Sequence, residues 1–432
     1  MICIKILLLI LLFFAITPSL GFISLPGFLI LTTVVFFFFL LVVRNSKRNL
    51  LLGEFEPNRA IILLILLLFY ALPYYGGLYQ NQWSIPVGTM VVFLMILLTT
   101  FGFVFKQKTG KLIILLVLLY LLLGFWTILN SPSPTVDVFV ILKEAPIKFL
   151  AGQNPYKSAY SAVYPGIPSN YFSYLPMAFL YSLPFVAIFG DPRVGVIFAV
   201  IASAYLLSKL LGNISKQYLL LFLGVFFLLP RSFYILEHSY LDPIVFMFLL
   251  LFLYLLKIGR QMLALLVLSS FFLFKQDVIL LVPILFGYLR GKINVNSVKV
   301  LVFLVPWIVP VYYFLINPGS FLWNTFLLYL PGLGIWSVSQ RSMSLVTVLR
   351  SMVFHTDSYW IYIIVVILFL FTYFIIWRSK IGIFAKMAGV MLSFDYLMYH
   401  SYFNHYYFVA LLLLADIILE SYVQKGKKTV TG

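Results

Sequence analysis

The chain has 432 residues, of which 63% are hydrophobic, 19% aromatic and only 9% charged. A soluble domain carries about 25% charged residues, so soluble enzymes, nucleic-acid-binding domains and disordered regulators are excluded. The net charge of +17 is spread thinly between long apolar runs, the pattern of a polytopic membrane protein with basic cytoplasmic loops.

A membrane-spanning helix needs about 20 mostly apolar residues. The first five spans are expected at 3–19, 22–43, 60–78, 86–105 and 112–130. The first could also be a signal peptide, but another span follows at once, which favours a helix. A polar and aromatic segment then covers 131–173. Beyond it lie apolar stretches at 174–189, 194–211, 217–231, 243–257, 261–275, 277–290, 299–316, 359–378, 381–399 and 405–421. Neither an internal repeat nor an appended soluble domain is evident. One cysteine, Cys3, excludes a disulfide framework, and four histidines leave little room for a histidine-rich metal cage.

Lys and Arg set the expected orientation. Arg44, Lys47 and Arg48 mark one inner loop, and Lys106, Lys108 and Lys111 the next, so the N-terminus is inside and 131–173 outside. Lys257, Arg260, Arg290, Lys292, Arg378, Lys380 and the Lys425, Lys427, Lys428 tail belong inside as well. Parity then requires that one of the apolar stretches between 137 and 257 does not cross. The stretch 174–189, short and interrupted by Pro176 and Pro184, suits a broken re-entrant helix. The expected fold is an all-α polytopic membrane protein of about 14 transmembrane helices with both termini cytoplasmic. A rival layout keeps 174–189 as a span and fuses 261–290 into one helix. Three regions are expected: a five-helix membrane region at 1–130, a catalytic membrane domain at 131–421 and a cytoplasmic tail at 422–432.

Acidic residues are scarce, and eight of the twelve fall on or near the outer face in the preferred layout: Asp137, Glu144, Asp191, Glu237, Asp242, Asp277, Asp357 and Asp395. Any outer general base must come from these or from a histidine. In the first outer segment, Ser133 can cap a helix that opens on Pro134, with Asp137 in its first turn. Asp137 there either serves chemistry or complements the helix dipole. Glu144, Asn154, Tyr156 and Tyr174 follow in the same segment. A second cluster is Arg231, Glu237, His238 and Asp242; a third is Lys275, Gln276 and Asp277; a fourth is His400, Asn404, His405 and Tyr406. Each has a plain structural alternative: a self-neutralising loop, a hairpin-closing Lys–Asp pair, an aromatic belt. Together they place carboxylate, imidazole, cation and amide groups on one face, as an active site at a membrane surface needs. Asp137 is the candidate catalytic base and the others are candidate substrate-binding residues, with Arg231, His238, Lys275 and His405 the expected phosphate contacts.

These residues resemble the C-type (GT-C) glycosyltransferases, polytopic membrane enzymes that use polyprenyl- or dolichyl-phosphate sugars. The likeness is to the mannosyltransferase branches, those of actinobacteria and that adding the first mannose to GPI anchors. Asp137, Phe139, Ala145, Gly152, Pro155, Tyr156 and Tyr174-Leu175-Pro176 follow the pattern of that family's first outer loop. Leu241-Asp242-Pro243, Lys275 and Asn404-His405-Tyr406 match its later outer motifs. The match covers roughly 131–420. The resemblance implies that Asp137 is the base and that sugar, mannose in these branches, passes with inversion from the lipid phosphate to a lipid or glycan acceptor. Two departures stand out: a single acidic residue where members often show two, which puts a divalent cation in question, and five spans before the acidic loop. The competing class is a flippase or transporter of lipid-linked sugars, which would favour inverted repeats and ionisable groups near the membrane centre.

Overall fold

The computed structural model describes residues 2–47, 57–105, 109–163, 171–212, 214–294, 296–329, 341–354, 359–398 and 400–428. Arg48, Lys106, Lys108, Asp357 and the end of the tail at 429–432 lie outside the described residues. The chain is a helical membrane protein, 78% helix, with no strand among the described residues.

In chain order the helices are α1 (Ile2–Ile16), α2 (Leu25–Lys47), α3 (Pro57–Ala71), α4 (Ser84–Phe105), α5 (Thr109–Asn130), α6 (Asp137–Leu150), α7 (Met177–Phe189), α8 (Arg193–Leu211), α9 (Lys216–Phe227) and α10 (Ser232–Glu237). There follow α11 (Asp242–Lys257), α12 (Gln261–Phe272), α13 (Val282–Leu289), α14 (Ser297–Leu304), α15 (Ile308–Ile316), α16 (Pro318–Thr325), α17 (Leu345–Val348), α18 (Tyr359–Arg378), α19 (Ile383–Leu397) and α20 (Phe403–Lys428). Each expected apolar stretch contains a helix. Six helical segments among the described residues are long and apolar enough to cross a membrane: Leu25–Arg44, Ser84–Phe105, Thr109–Asn130, Arg193–Leu211, Ser297–Ile316 and Trp360–Arg378. Their outward faces are apolar too; Met90, Ile308 and Leu315 are 72%, 65% and 72% exposed, a surface that water would not tolerate over whole helices.

Three expectations need correction. Helix α6 starts at Asp137, not Pro134; Val136 holds the cap position in extended conformation and has no side-chain cap bond. The stretch at 174–189 is not broken: α7 continues through Pro184, and Gly190 in the left-handed region ends it (φ +71°). The fused 261–290 helix of the rival layout does not form, because α12 stops at Phe272 and a 3₁₀ turn at Asp277–Leu281 precedes α13.

The chain divides into two compact units. The first comprises Met1–Tyr70, Leu280–Arg290 and Val338–Gly432; the second comprises Ala71–Ile279 and Gly291–Ser337. Neither unit ends at residue 130: α4 and α5 pack on α9, and α5 also on α8 and α10. In the first unit, α1 packs on α2 and α20, and α19 on α20, α18 and α2. Lys5 of α1 forms a buried ion pair with Asp416 of α20, whose other oxygen accepts from the Ala385 amide in the first turn of α19 at 3.2 Å. In the second unit α11 is the central helix, flanked by α8 and α12, while α6 packs on α7. Apolar residues of α11 such as Phe246, Leu249, Leu250 and Phe252 are 0–1% exposed, so this helix gives the loops at its ends a rigid base.

Candidate functional site

In the second unit one group of candidate residues lies at the starts of α6 and α11 and in the break after α12. Asp137 is half-buried in the first turn of α6. Its Oδ1 accepts from the Val138 amide at 2.9 Å, and its Oδ2 accepts from the Tyr171 hydroxyl at 3.2 Å. The helix N-terminus and a phenol thus fix the orientation of its carboxyl group. Asp242 is the first residue of α11, followed by a proline that needs no donor there. Lys275, in the break after α12, lies 3.1 Å from Asp242 Oδ1 and 3.2 Å from Asp277 Oδ2. Tyr174 and Tyr329 both lie within electrostatic range of Asp137 and Asp277, so these loops form one cluster.

The segment 171–177 is what brings Asp137 and Lys275 to one place. Phe172 N donates to Asn324 Oδ1 (2.7 Å), Gln276 Nε2 donates to the Ser173 carbonyl (2.9 Å), and Tyr329 Oη donates to the same carbonyl (3.2 Å). Leu175 N and Met177 N donate to the carbonyls of Phe274 and Leu273. Tyr156 Oη donates to the Tyr174 carbonyl at 3.0 Å, and Asn154 Oδ1 turns the chain by accepting from Tyr156 N at 2.9 Å. Asn154, Tyr156 and Gln276 are therefore braces of the loop. Glu144 lies two helical turns beyond Asp137 and holds the strap at Ser161 through that residue's amide and hydroxyl.

The second sequence cluster divides. Asp242 joins the Lys275 group; Glu237 and His238 are buried apart, at 0% and 2% exposure. The six-residue α10 lies between two residues with left-handed backbone, Arg231 (φ +64°) and Ser239 (φ +58°), and these tight turns let Glu237 and His238 point inward. Glu237 accepts from the amides of Leu78 (2.7 Å) and Tyr79 (3.1 Å). Burial pushes its carboxyl up to about 7 against the pull of those amides. His238 Nδ1 lies 3.0 Å from the Tyr234 carbonyl, and the ring stacks on Tyr240. Burial lowers its pKa to about 3, which favours the neutral imidazole over the cation expected of a phosphate contact. The Arg231 guanidinium lies over the Tyr74 ring, 5.2 Å from its centre.

His400, Asn404, His405 and Tyr406 belong to the first unit. There His405 Nδ1 is 3.6 Å from Asp395 Oδ1, which also accepts from Ser401 Oγ at 3.3 Å. Tyr406 Oη donates to the carbonyls of Asp395 and Met343.

Sequence reasoning missed Asn324 and the role of Arg193. Arg193 is fully buried; it pairs with Asp191, donates to the Ser131 carbonyl at 2.7 Å and covers the Phe139 ring. Nothing in the local pattern marks their bracing roles, because Ser131, Phe172 and Tyr156, which they hold, are remote in sequence. Among the described residues no group of three or more His, Cys, Asp or Glu side chains stands close enough to hold a metal ion, so a divalent cation has no fitting site there. Comparison with known proteins finds no matching family model, no matching curated protein and no matching solved structure.

Proposed function

We propose that this chain is a multi-pass membrane glycosyltransferase of the GT-C type, with about 14 spans and both termini in the cytoplasm. It moves a sugar, mannose in the branches it resembles, from a polyprenyl- or dolichyl-phosphate donor to a lipid or glycan acceptor on the outer face. The observation that supports this reading is the Asp242–Lys275–Asp277 ion-pair group, with Tyr174 and Tyr329 within electrostatic range of both that group and Asp137. In the proposed reaction the acceptor oxygen bonds to the anomeric carbon as the bond from that carbon to the phosphate oxygen breaks. Inversion follows from the single displacement. Asp137 takes the acceptor's proton, while Lys275, steadied by its two aspartates, offsets the charge gathering on the departing phosphate.

The test is a reconstituted assay that offers a radiolabelled lipid-phosphate sugar and a radiolabelled nucleotide sugar separately. Transfer is expected from the first alone. Transfer from the nucleotide sugar with no lipid-linked sugar present would sink the mechanism. One observation favours a second reading, a carrier of lipid-linked sugars: Lys5 and Asp416 form a buried ion pair between membrane helices, the type of group that carriers use. Movement of labelled lipid across vesicles without any glycosidic product would support that class instead.

A further inference from the structure

We infer that Glu237 is a positioning residue for Asp137, acting through the loop at 76–81, and does not touch substrate. This rests on the transferase reading for its kinetic test but not for its structural one. Glu237 is at the end of α10 with no exposed surface, and its carboxylate is enclosed by the backbone of Gly77, Leu78 and Tyr79. The enclosure depends on two glycines. Gly76 takes a left-handed backbone (φ +97°), and a Cβ on Gly77 would lie 1.7 Å from Glu237 Oε2. Consecutive amides aimed at one carboxyl group form a nest, and that group's oxygens fix the loop's shape in return.

The same loop holds the chain that leads to Asp137. Tyr79 Oη donates to the Thr135 carbonyl at 2.9 Å, and Asn81 N donates to the Asn130 carbonyl at 3.0 Å. Thr135 precedes Asp137 by two residues, and Arg193 grips Ser131, between Asn130 and Thr135. The run 130–135 therefore has its carbonyls tied at three points, and the start of α6 follows from where that run ends. A carboxylate base works only within hydrogen-bond reach of the proton it takes. A displacement of about 1 Å can cost up to about 10²-fold in rate.

The experiment uses the full chain with Glu237→Gln, Tyr79→Phe and the double variant. Amide hydrogen exchange is read at Leu78, Tyr79 and the first turn of α6, together with kcat and KM for transfer from a polyprenyl-phosphate sugar. Both single variants are expected to speed exchange at the first turn of α6. They should lower kcat by about 10- to 100-fold with little change in KM. The double variant should be no worse than the poorer single, because both cut one chain of contacts. Raised KM with unchanged kcat in Glu237→Gln, with Tyr79→Phe silent, would make Glu237 a substrate contact and overturn the inference. Unchanged exchange in both singles overturns it as well. Should Glu237→Gln fail to fold, Tyr79→Phe carries the test, since it removes one exposed hydroxyl. Wild-type protein with no transfer would defeat the transferase reading, while the exchange data would still decide the positioning role.

Discussion

Asp137, the proposed base, is partly exposed, and its side-chain oxygens accept from the Val138 amide and the Tyr171 hydroxyl. Asp137→Asn keeps its size and removes its basicity. It is expected to cost about 10²–10⁴-fold in transfer at normal expression; near-normal turnover would move the base to another carboxylate. Glu237 and His238 are adjacent yet give opposite pH responses. The Glu237 carboxyl titrates at about 7 in the folded protein against 4.5 ordinarily, so its contribution to stability is full below 4.5 and is lost as pH rises through 7. The His238 imidazole titrates at about 3 against 6.5, so its contribution is present above 6.5 and lost as pH falls toward 3. Between pH 4.5 and 6.5 the two contributions oppose each other and cancel, so the wild type's thermal unfolding in detergent should be nearly flat there, whereas Glu237→Gln, left with the His238 contribution alone, should gain up to about 3 kcal/mol as pH rises through that window. A variant as flat as the wild type would mean that the two groups do not titrate as an opposed pair.

At the level of elements, apolar runs were legible as helices, because a run of 12 to 20 apolar residues must satisfy its own backbone in a membrane. Their starts and stops were less so. Helix α6 begins at Asp137 because the residues before it spend their carbonyls elsewhere: Ser131 on Arg193, Thr135 on Tyr79. Those partners lie 62 and 56 residues away, so no local capping signal could reveal them. Asn324 is a similar case. It joins Phe172 N, the Tyr156 carbonyl and its own helix at Ser320, buried at 2% exposure. Asn324→Ala would leave the Phe172 amide and the Tyr156 carbonyl buried without it, at about 1–3 kcal/mol each. Expected are a lower unfolding temperature and earlier proteolysis within 156–176; an unchanged protein would mean that water replaces the amide.

At the scale of the molecule, the layout predicts that single cysteines at 137, 240, 276 and 404, in a Cys3→Ala background, react with an impermeant thiol reagent from outside. Labelling of position 240 only from inside would overturn that layout. The Lys5–Asp416 pair offers a separate check on the first unit. Removing one partner leaves a buried charge, so Lys5→Met should destabilise by about 3–5 kcal/mol, whereas Lys5→Met with Asp416→Leu should recover most of it. If the double variant were as unstable as the single, the loss would come from packing around α1 and not from charge.

Composition and hydropathy by themselves determined that the chain is a helical membrane protein, where most helices lie, and which few charged residues are available for chemistry. Those properties follow from the solvent: lipid forces the backbone to bond internally and makes each charge costly. Tertiary structure decided which charges meet. It placed Asp242, Lys275 and Asp277 together, turned Glu237 and His238 into a buried pair, and put His405 beside Asp395 in the other unit. It also joined 71–130 to the unit that holds Asp137, because the groups that hold Asp137 come from distant turns of chain. Such pairings depend on burial and on unpaired backbone groups in three dimensions, and a linear sequence carries no local mark of either.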